Sequence, residues 1–147
     1  LLAERPDVFA QLHEDRTLVQ RFIEELLRYE GPVVCLPRIA MADVEVSGTR
    51  IERGVCVLPL IGSANRDEAQ FPDPDRFDLH RERMGISFGY GSHSCIGAYL
   101  ARLEVQAALN ALLDRFSGFA IRPDQLVWNR ALIVRGPVKM SVRFLPR

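Results

Sequence analysis

Residues 88–97 read FGYGSHSCIG, a stretch that sets three of the chain's 10 glycines around one of its three cysteines. Glycine takes positive φ at little cost, so Gly89 and Gly91 are predicted to turn the main chain tightly and to let it approach a large flat ligand. Gly97 removes a side chain that would otherwise obstruct such a ligand. Because helical periodicity resumes at Ile96, the stretch predicts a turn that leads directly into a helix, with Cys95 at the junction.

The position of Cys95 favours loss of the thiol proton. Unpaired main-chain N–H groups at the start of a helix attract negative charge, and a thiol placed there ionises more easily. An open thiolate is a metal ligand or a nucleophile, and a nucleophile would need a base, for which His93 is nearest in sequence. A cysteine buried as a small hydrophobe is a third interpretation. The residues alone leave all three open.

The composition argues against several classes of protein. Basic and acidic residues number 19 each, a balance that does not favour binding to nucleic acid or to a membrane surface. Cys35, Cys56 and Cys95 are odd in number and widely spaced, so neither a disulfide framework nor a zinc site is expected. No apolar run reaches the length of a membrane span, and no signal peptide is evident. We expect one domain over residues 1–147, in a reducing cytoplasm.

Two helices are predicted before residue 31. Pro6 in the first turn favours a short helix over residues 6–13. A second helix begins near Thr17, whose spacing from Gln20 fits a capping box, and it ends at Gly31. Its apolar residues recur at helical spacing, namely Val19, Phe22, Ile23 and Leu26.

The middle of the chain changes to strand-like alternation. Val44 and Val46 alternate with polar residues, Gly48 supplies a turn, and VCVLPL at 55–60 is typical of a buried strand. The prolines of FPDPDRFD exclude regular helix or central strand, so residues 62–87 predict an irregular segment that is functional or structurally pinned.

The remaining residues predict one helix and a terminal hairpin. Helical spacing after Cys95 lasts to Ser117-Gly118, and the tail then alternates around Gly136-Pro137. The predicted apolar face comprises Ile96, Leu100, Leu103, Ala107 and Ala111, widened by Leu112, Leu113 and Phe116. The whole indicates an α+β fold that is mainly helical, with short sheets.

Three stretches together resemble the cytochrome P-450 family. The order F-x-x-G-x-H-x-C-x-G is similar to the family's haem-ligand signature. EELLRY at 24–29 resembles its E-x-x-R helix, and FPDPDRFD resembles the segment that supplies a further arginine to that helix. The matching signature positions are Phe88, Gly91, His93, Cys95 and Gly97. The resemblance covers essentially the whole chain and corresponds to the C-terminal third of a family member.

The resemblance implies the C-terminal portion of the cytochrome P-450 fold, with short β-sheets, a meander, a cysteine-ligand loop and the helix that follows it. It implies haem b, iron protoporphyrin IX, as the cofactor, with Cys95 as the axial thiolate ligand of the iron. His93 and Arg38 would donate to the haem propionates. The other residues of the ligand loop that would contact the haem are Phe88, Gly89, Gly91 and Gly97.

The resemblance also changes the interpretation of Glu25 and Arg28. Three residues apart on one helix, they predict an ion pair that faces away from the apolar stripe and is worth about 0.3–0.5 kcal/mol. The family instead implies a buried structural network with Arg76 as its third member. Loss of one partner from such a network costs about 3–5 kcal/mol.

Two stretches are similar to substrate-contacting segments of the family. One is residues 33–36, with Val33, Val34 and Leu36 as the contacts, and the other is residues 131–133, with Leu132 at its centre. Ordinary loop packing is the alternative for both stretches.

Arg102 matches a family position on the face where an electron donor docks. With Arg81 and Arg83 nearby, it would form a basic patch that attracts an acidic ferredoxin. A solvated helix face is the alternative for each arginine.

The implied activity is that of a haem-thiolate monooxygenase. Such an enzyme inserts one atom of O₂ into a small organic substrate, with electrons from NAD(P)H through a reductase and a ferredoxin. The alternative is a truncated, non-catalytic product that binds haem through Cys95 or binds none. A peroxygenase-type relative, which needs no ferredoxin, is a third possibility, and none of these implies a nucleic-acid or membrane partner.

Two departures set limits on the resemblance. Many bacterial members have a histidine where this chain has Gly85, so one contact near the haem would be missing. The family's oxygen-activating helix, with its acidic residue and threonine, is not in this sequence. We therefore expect upstream residues or another chain to complete the distal side. We also expect these 147 residues alone to expose apolar side chains near Leu100, Leu103 and Ala107, and to self-associate or be unstable.

Overall fold

The computed structural model describes every residue from Leu1 to Arg147. Its helices are α1 (Pro6–Glu14), α2 (Leu18–Glu30), α3 (Ile61–Ala64) and α4 (Ala98–Arg115), with 3₁₀ turns at Gly91–His93 and Pro123–Gln125. The helices predicted on either side of Thr17 are confirmed, as is the end of α2 before Gly31. No helix is both long enough and apolar enough to pass through a membrane.

Eight short strands pair into four separate two-stranded antiparallel sheets. The pairs are β1 (Arg38–Ile39) with β4 (Cys56–Val57), β2 (Val44–Val46) with β3 (Thr49–Ile51), β5 (Phe116–Ile121) with β8 (Val142–Pro146), and β6 (Val127–Trp128) with β7 (Pro137–Lys139). Helices joined by such small sheets confirm the predicted α+β class.

The core lies where α1, α2 and α4 meet the irregular segment 62–87. Phe22 of α2 packs against Phe77 with ring centroids 5.7 Å apart, and Tyr29 meets the same ring at 5.6 Å. The ten buried members of this cluster are Val8, Phe9, Leu12, Val19, Phe22, Ile23, Phe77, Leu79, Leu109 and Leu113. The irregular segment is therefore pinned, as predicted, because full burial of such side chains contributes about 1.5–3 kcal/mol each.

The predicted capping box at the start of α2 is wrong. Thr17 makes no capping hydrogen bond to the helix. Its hydroxyl and its main-chain N–H both donate to the Asp15 carboxylate, at 2.6 Å and 2.8 Å. Asp15 therefore holds the turn before α2, and Gln20 takes no part in it.

Helix α4 buries only part of the predicted face. Leu113 is buried as predicted, together with Leu109, which was not predicted, whereas Leu100 is 59% exposed and Leu103 is 44% exposed. The expectation that the chain exposes apolar side chains here is confirmed. Self-association through this face stays a prediction.

The strand predictions hold for the hairpin at 44–51 and need correction elsewhere. Helix α4 was predicted to last to Ser117-Gly118. It ends at Arg115, and Ser117-Gly118 lie inside β5. VCVLPL is not a buried strand, since only Cys56 and Val57 pair and Cys56 is exposed. The tail does not close a single hairpin, because β8 pairs with β5 and β7 pairs with β6.

Candidate functional site

Residues 88–97 form a closed loop immediately before α4. The Cys95 N–H donates to the Phe88 carbonyl at 2.8 Å, and the Ala98 N–H donates to the Cys95 carbonyl at 3.2 Å. Gly89 and Gly91 have φ angles of 77° and 72°, the left-handed values that the sequence predicts. The loop therefore presents Cys95 at a defined point at the start of the helix.

The Cys95 side chain is exposed, so its interpretation as a buried small hydrophobe is wrong. A Cβ atom built on Gly97 would lie 3.8 Å from the Cys95 sulfur, in contact with it. The neighbouring Ile96 is fully exposed. The loop therefore leaves Cys95 and Ile96 open, as the approach of a large flat ligand would require.

The donor set at this site is a single thiol. No group of three or more His, Cys, Asp or Glu side chains that could enclose a metal ion occurs in the structure. A structural zinc ion takes four protein ligands, so the residues present do not fit zinc. One thiolate does fit haem iron, because the macrocycle supplies the remaining in-plane ligands.

His93 and Arg38 are both exposed and lie on different elements. His93 ends the 3₁₀ turn of the loop, two residues before Cys95. Arg38 lies on β1, and its guanidinium donates to the Pro37 carbonyl at 2.9 Å. The structure shows no contact between Arg38 and the loop, so a shared role at haem propionates stays a prediction.

The two stretches that resemble substrate-contacting segments lie side by side. Val33 forms a bridge with Val134, and the Val34 N–H donates to the Ile133 carbonyl at 2.8 Å. Leu132, at the centre of the second stretch, is 70% exposed. A pairing between segments so distant in sequence was not predicted, and the substrate role itself stays a prediction.

Glu25 and Arg28 form the centre of a buried polar network. The guanidinium donates to both carboxylate oxygens, at 2.7 Å and 2.8 Å, and the two side chains are 3% and 0% exposed. The same guanidinium donates to the carbonyls of Asn65 at 2.8 Å and Pro74 at 2.9 Å. The buried network implied by the resemblance is confirmed for these two residues.

The prediction that Arg76 supplies the third side chain is wrong. The third cation is Arg81, whose guanidinium lies 3.2 Å from the Glu25 carboxylate and is 9% exposed. Arg76 is exposed and contributes only its carbonyl, which accepts from Arg28 at 3.3 Å and from Arg81 at 3.1 Å. This use of Arg81 also removes it from the basic patch predicted around Arg102.

Arg102 pairs with Glu24 of α2, a contact that the sequence did not predict. The guanidinium donates to both carboxylate oxygens, from Nη2 at 3.1 Å and from Nε, and this hydrogen bonding raises the pKa of Arg102 above its ordinary value. Its centre lies 4.7 Å from the centroid of the Phe88 ring. The side chain is 31% exposed, so only part of it faces solvent.

Asn65 and Ser87 anchor the segment that leads into the loop, and sequence reasoning missed both. The Asn65 side chain accepts from the Ile86 N–H and donates to the Ser87 hydroxyl, each at 2.8 Å. The Ser87 hydroxyl donates to the Leu27 carbonyl of α2 at 2.6 Å. Asparagine and serine are common in exposed loops, so no sequence signal marked this pair, of which Asn65 is buried.

Close packing around residue 85 favours glycine at this position. A Cβ atom there would lie 2.8 Å from the Asn65 side-chain oxygen and 3.0 Å from the Arg28 Cβ atom. The main chain at Gly85 therefore crosses directly over α2.

One cavity lies away from the cysteine loop. It has a volume of about 570 Å³ and lies among the end of α2, α3 and the β6–β7 pair. None of its lining residues belongs to residues 88–97. Val33 and Val34 of the first substrate-like stretch line this cavity, whereas Cys95 lies at an open surface of the chain.

The chain is similar to known proteins over nearly its whole length. The family model described as Cytochrome P450 matches residues 2–143. The cytochrome P450 monooxygenase PikC of Streptomyces venezuelae is 42% identical to this chain, over 97% of this chain and 35% of the relative. Nocardicin C N-oxygenase of Nocardia uniformis subsp. tsuyamanensis is 44% identical, over 97% of this chain and 37% of the relative.

Solved structures agree with the sequence comparison. The structure of cytochrome P450 CYP109Q5 from Chondromyces apiculatus superposes with a TM-score of 0.92 at 41% identity. The match covers 99% of this chain and 38% of that structure. The chain therefore has the fold of one portion of these proteins and spans little more than a third of the length of the curated relatives it matches.

Proposed function

The chain belongs to the cytochrome P450 family, and we propose that it forms the haem-binding part of a haem-thiolate monooxygenase. The whole protein would insert one atom of O₂ into a small organic substrate, with electrons from NAD(P)H passed through a reductase and a ferredoxin. Haem b, bound through its iron, supplies the dioxygen chemistry. The observation that carries the proposal is the exposed Cys95 thiol on a loop closed by the hydrogen bond to the Phe88 carbonyl.

Several residues of the loop, together with Arg38 of β1, would hold the cofactor. Cys95 would bind the iron as a thiolate, and the absence of side chains at Gly91 and Gly97 would let the macrocycle approach the main chain. His93 and Arg38 would donate to the propionates, since both are exposed and able to form charge-assisted hydrogen bonds. The names of the relatives, a monooxygenase and an N-oxygenase, support this chemistry.

The paired stretches 33–36 and 131–133 would form one wall of the substrate site. Their main chains are joined by the Val34–Ile133 hydrogen bond at 2.8 Å, and Leu132 projects an exposed apolar side chain. Such a wall favours an organic substrate with apolar surface. The rest of the pocket would come from outside these residues.

The proposal is tested by titrating the purified full chain with ferric haem and recording absorption spectra. We expect one haem per chain and a spectrum typical of thiolate ligation. Cys95→Ser should lose that spectrum. Cys56→Ser, which changes the other exposed cysteine, should keep it. Equal spectra for the unchanged chain and for Cys95→Ser would overturn the proposal.

A further inference from the structure

The ion pair between Glu24 and Arg102 joins α2 to α4 next to the cysteine loop. Both oxygens of the carboxylate accept from the guanidinium, and Nη1 of the same group donates to the Ala98 carbonyl at 3.2 Å. All three nitrogens of Arg102 thus have partners within the chain. Three hydrogen bonds fix the orientation of a planar guanidinium. The ammonium group of a lysine would not be oriented in this way.

The held guanidinium lies against the ring of Phe88, with its central carbon 4.7 Å from the ring centroid. Phe88 begins the loop, and its carbonyl accepts the N–H of Cys95 at 2.8 Å. Contacts therefore run without interruption from Glu24 through Arg102 and Phe88 to the main chain of Cys95. No other cation lies over the Phe88 ring.

We propose that Glu24 and Arg102 are positioning residues for Cys95, which they hold through the ring and the carbonyl of Phe88. In this role Arg102 acts within the chain, and it replaces the predicted role as a cation that attracts a ferredoxin. The proposal rests on the proposed function, because it treats the position of the thiol as the property that matters. It concerns the loop itself, however, and can be tested without haem.

The test compares amide hydrogen exchange at two main-chain hydrogen bonds of equal length. The Cys95 N–H reports the loop, and the Val34 N–H, which donates to the Ile133 carbonyl at 2.8 Å, reports a distant part of the chain. In Glu24→Gln and in Arg102→Lys, exchange at Cys95 should accelerate several-fold while exchange at Val34 stays unchanged. Glu104→Gln, on an exposed and unpaired residue of α4, is the matched control and should change neither amide.

Two results would overturn the proposal. One is unchanged exchange at Cys95 in both variants. The other is an equal increase at Cys95 and Val34, because that would make the ion pair a general stabiliser. A double-mutant cycle adds a further criterion, since Phe88→Leu and Arg102→Lys should be non-additive at the Cys95 amide if they act through one contact.

Haem-loaded samples separate this proposal from the proposed function. In the carbon monoxide difference spectrum of the reduced samples, the fraction of bound haem that gives the thiolate-type band should fall in Glu24→Gln and Arg102→Lys. The fraction should be unchanged in Glu104→Gln. If the unchanged chain gives no thiolate-type spectrum, the proposed function fails, and the exchange comparison still decides whether Glu24 and Arg102 hold the loop. If the fraction of haem with the thiolate-type band is unchanged in both Glu24→Gln and Arg102→Lys, that result would count against the positioning role.

Discussion

The Arg28 guanidinium donates to both carboxylate oxygens of Glu25, at 2.7 Å and 2.8 Å, with both side chains almost fully buried. A buried charge that loses its partner is strongly destabilising, so Glu25→Gln should lower the free energy of unfolding by about 3–5 kcal/mol. Urea unfolding followed by circular dichroism measures the loss. Glu30→Gln, on an exposed residue of the same helix, is the control and should change stability little. A loss in Glu25→Gln no larger than in that control would contradict the prediction.

Arg81 should matter far more to stability than Arg76. The Arg81 side chain donates to Glu25 at 3.2 Å and to the Pro72 carbonyl at 2.8 Å, whereas the Arg76 side chain is exposed. Arg81→Gln should cost about 2–3 kcal/mol, because it breaks hydrogen bonds to a charged and buried group. Arg76→Gln should stay within about 0.5 kcal/mol of the unchanged chain. If urea unfolding showed a larger loss of stability in Arg76→Gln than in Arg81→Gln, Arg76 would be the third member of the Glu25–Arg28 network.

Gly85 should not tolerate a methyl group. The added Cβ atom would meet the Asn65 oxygen at 2.8 Å and the Arg28 Cβ at 3.0 Å, so the segment would have to move away from α2. Gly85→Ala should therefore cost about 1–3 kcal/mol in thermal or urea unfolding. Gly136→Ala is the matched control, since nothing lies within 4 Å of its added Cβ. Equal stability of the two variants would refute the close approach.

The β2–β3 hairpin should open as the solution becomes acidic. The Arg53 main-chain N–H, and then the Arg50 guanidinium, lower the pKa of Asp43. A carboxyl group with a lowered folded pKa stabilises the hairpin above the ordinary aspartate value of about 3.9, and this contribution is lost as the pH falls through the folded pKa. The protection factors of the amides over residues 44–51, which correct for the pH dependence of exchange in an unfolded chain, should therefore fall in acid, and Asp43→Asn should remove that dependence.

The matched control for the hairpin is Glu52→Gln. Glu52 is exposed and has no ion pair, so the variant should keep the acid dependence of the unchanged chain. Acid dependence that survives in Asp43→Asn would assign the effect to another carboxyl group.

The chemistry of the cysteine loop is predictable from sequence because ten adjacent residues encode it. The positive φ angles of Gly89 and Gly91 need no distant partner, and neither does the place of Cys95 before a helix. The family resemblance adds the burial of Glu25 and Arg28, which helical spacing alone would have left exposed. The loop conformation therefore depends on residue order more than on tertiary packing, whereas the burial of this pair depends on distant carbonyls that contact Arg28.

The remaining features depend on tertiary packing. Arg76 and Arg81 lie five residues apart in one irregular segment, and only the path of the main chain decides which guanidinium reaches Glu25. Apolar residues surround most of α4, so its spacing placed Leu113 on the apolar face but missed Leu109, the other buried residue. The contact between Glu24 and Arg102 spans 78 residues and has no local signal at all.

The measurement that tests the central claim most directly is the carbon monoxide difference spectrum of the reduced, haem-loaded full chain. The account predicts a red-shifted Soret band that is present in the unchanged chain and in Cys56→Ser and absent in Cys95→Ala, because Cys95 would supply the thiolate that binds the iron. A band that persists in Cys95→Ala, or haem that binds with no such band in the unchanged chain, would contradict Cys95 as the ligand of the iron.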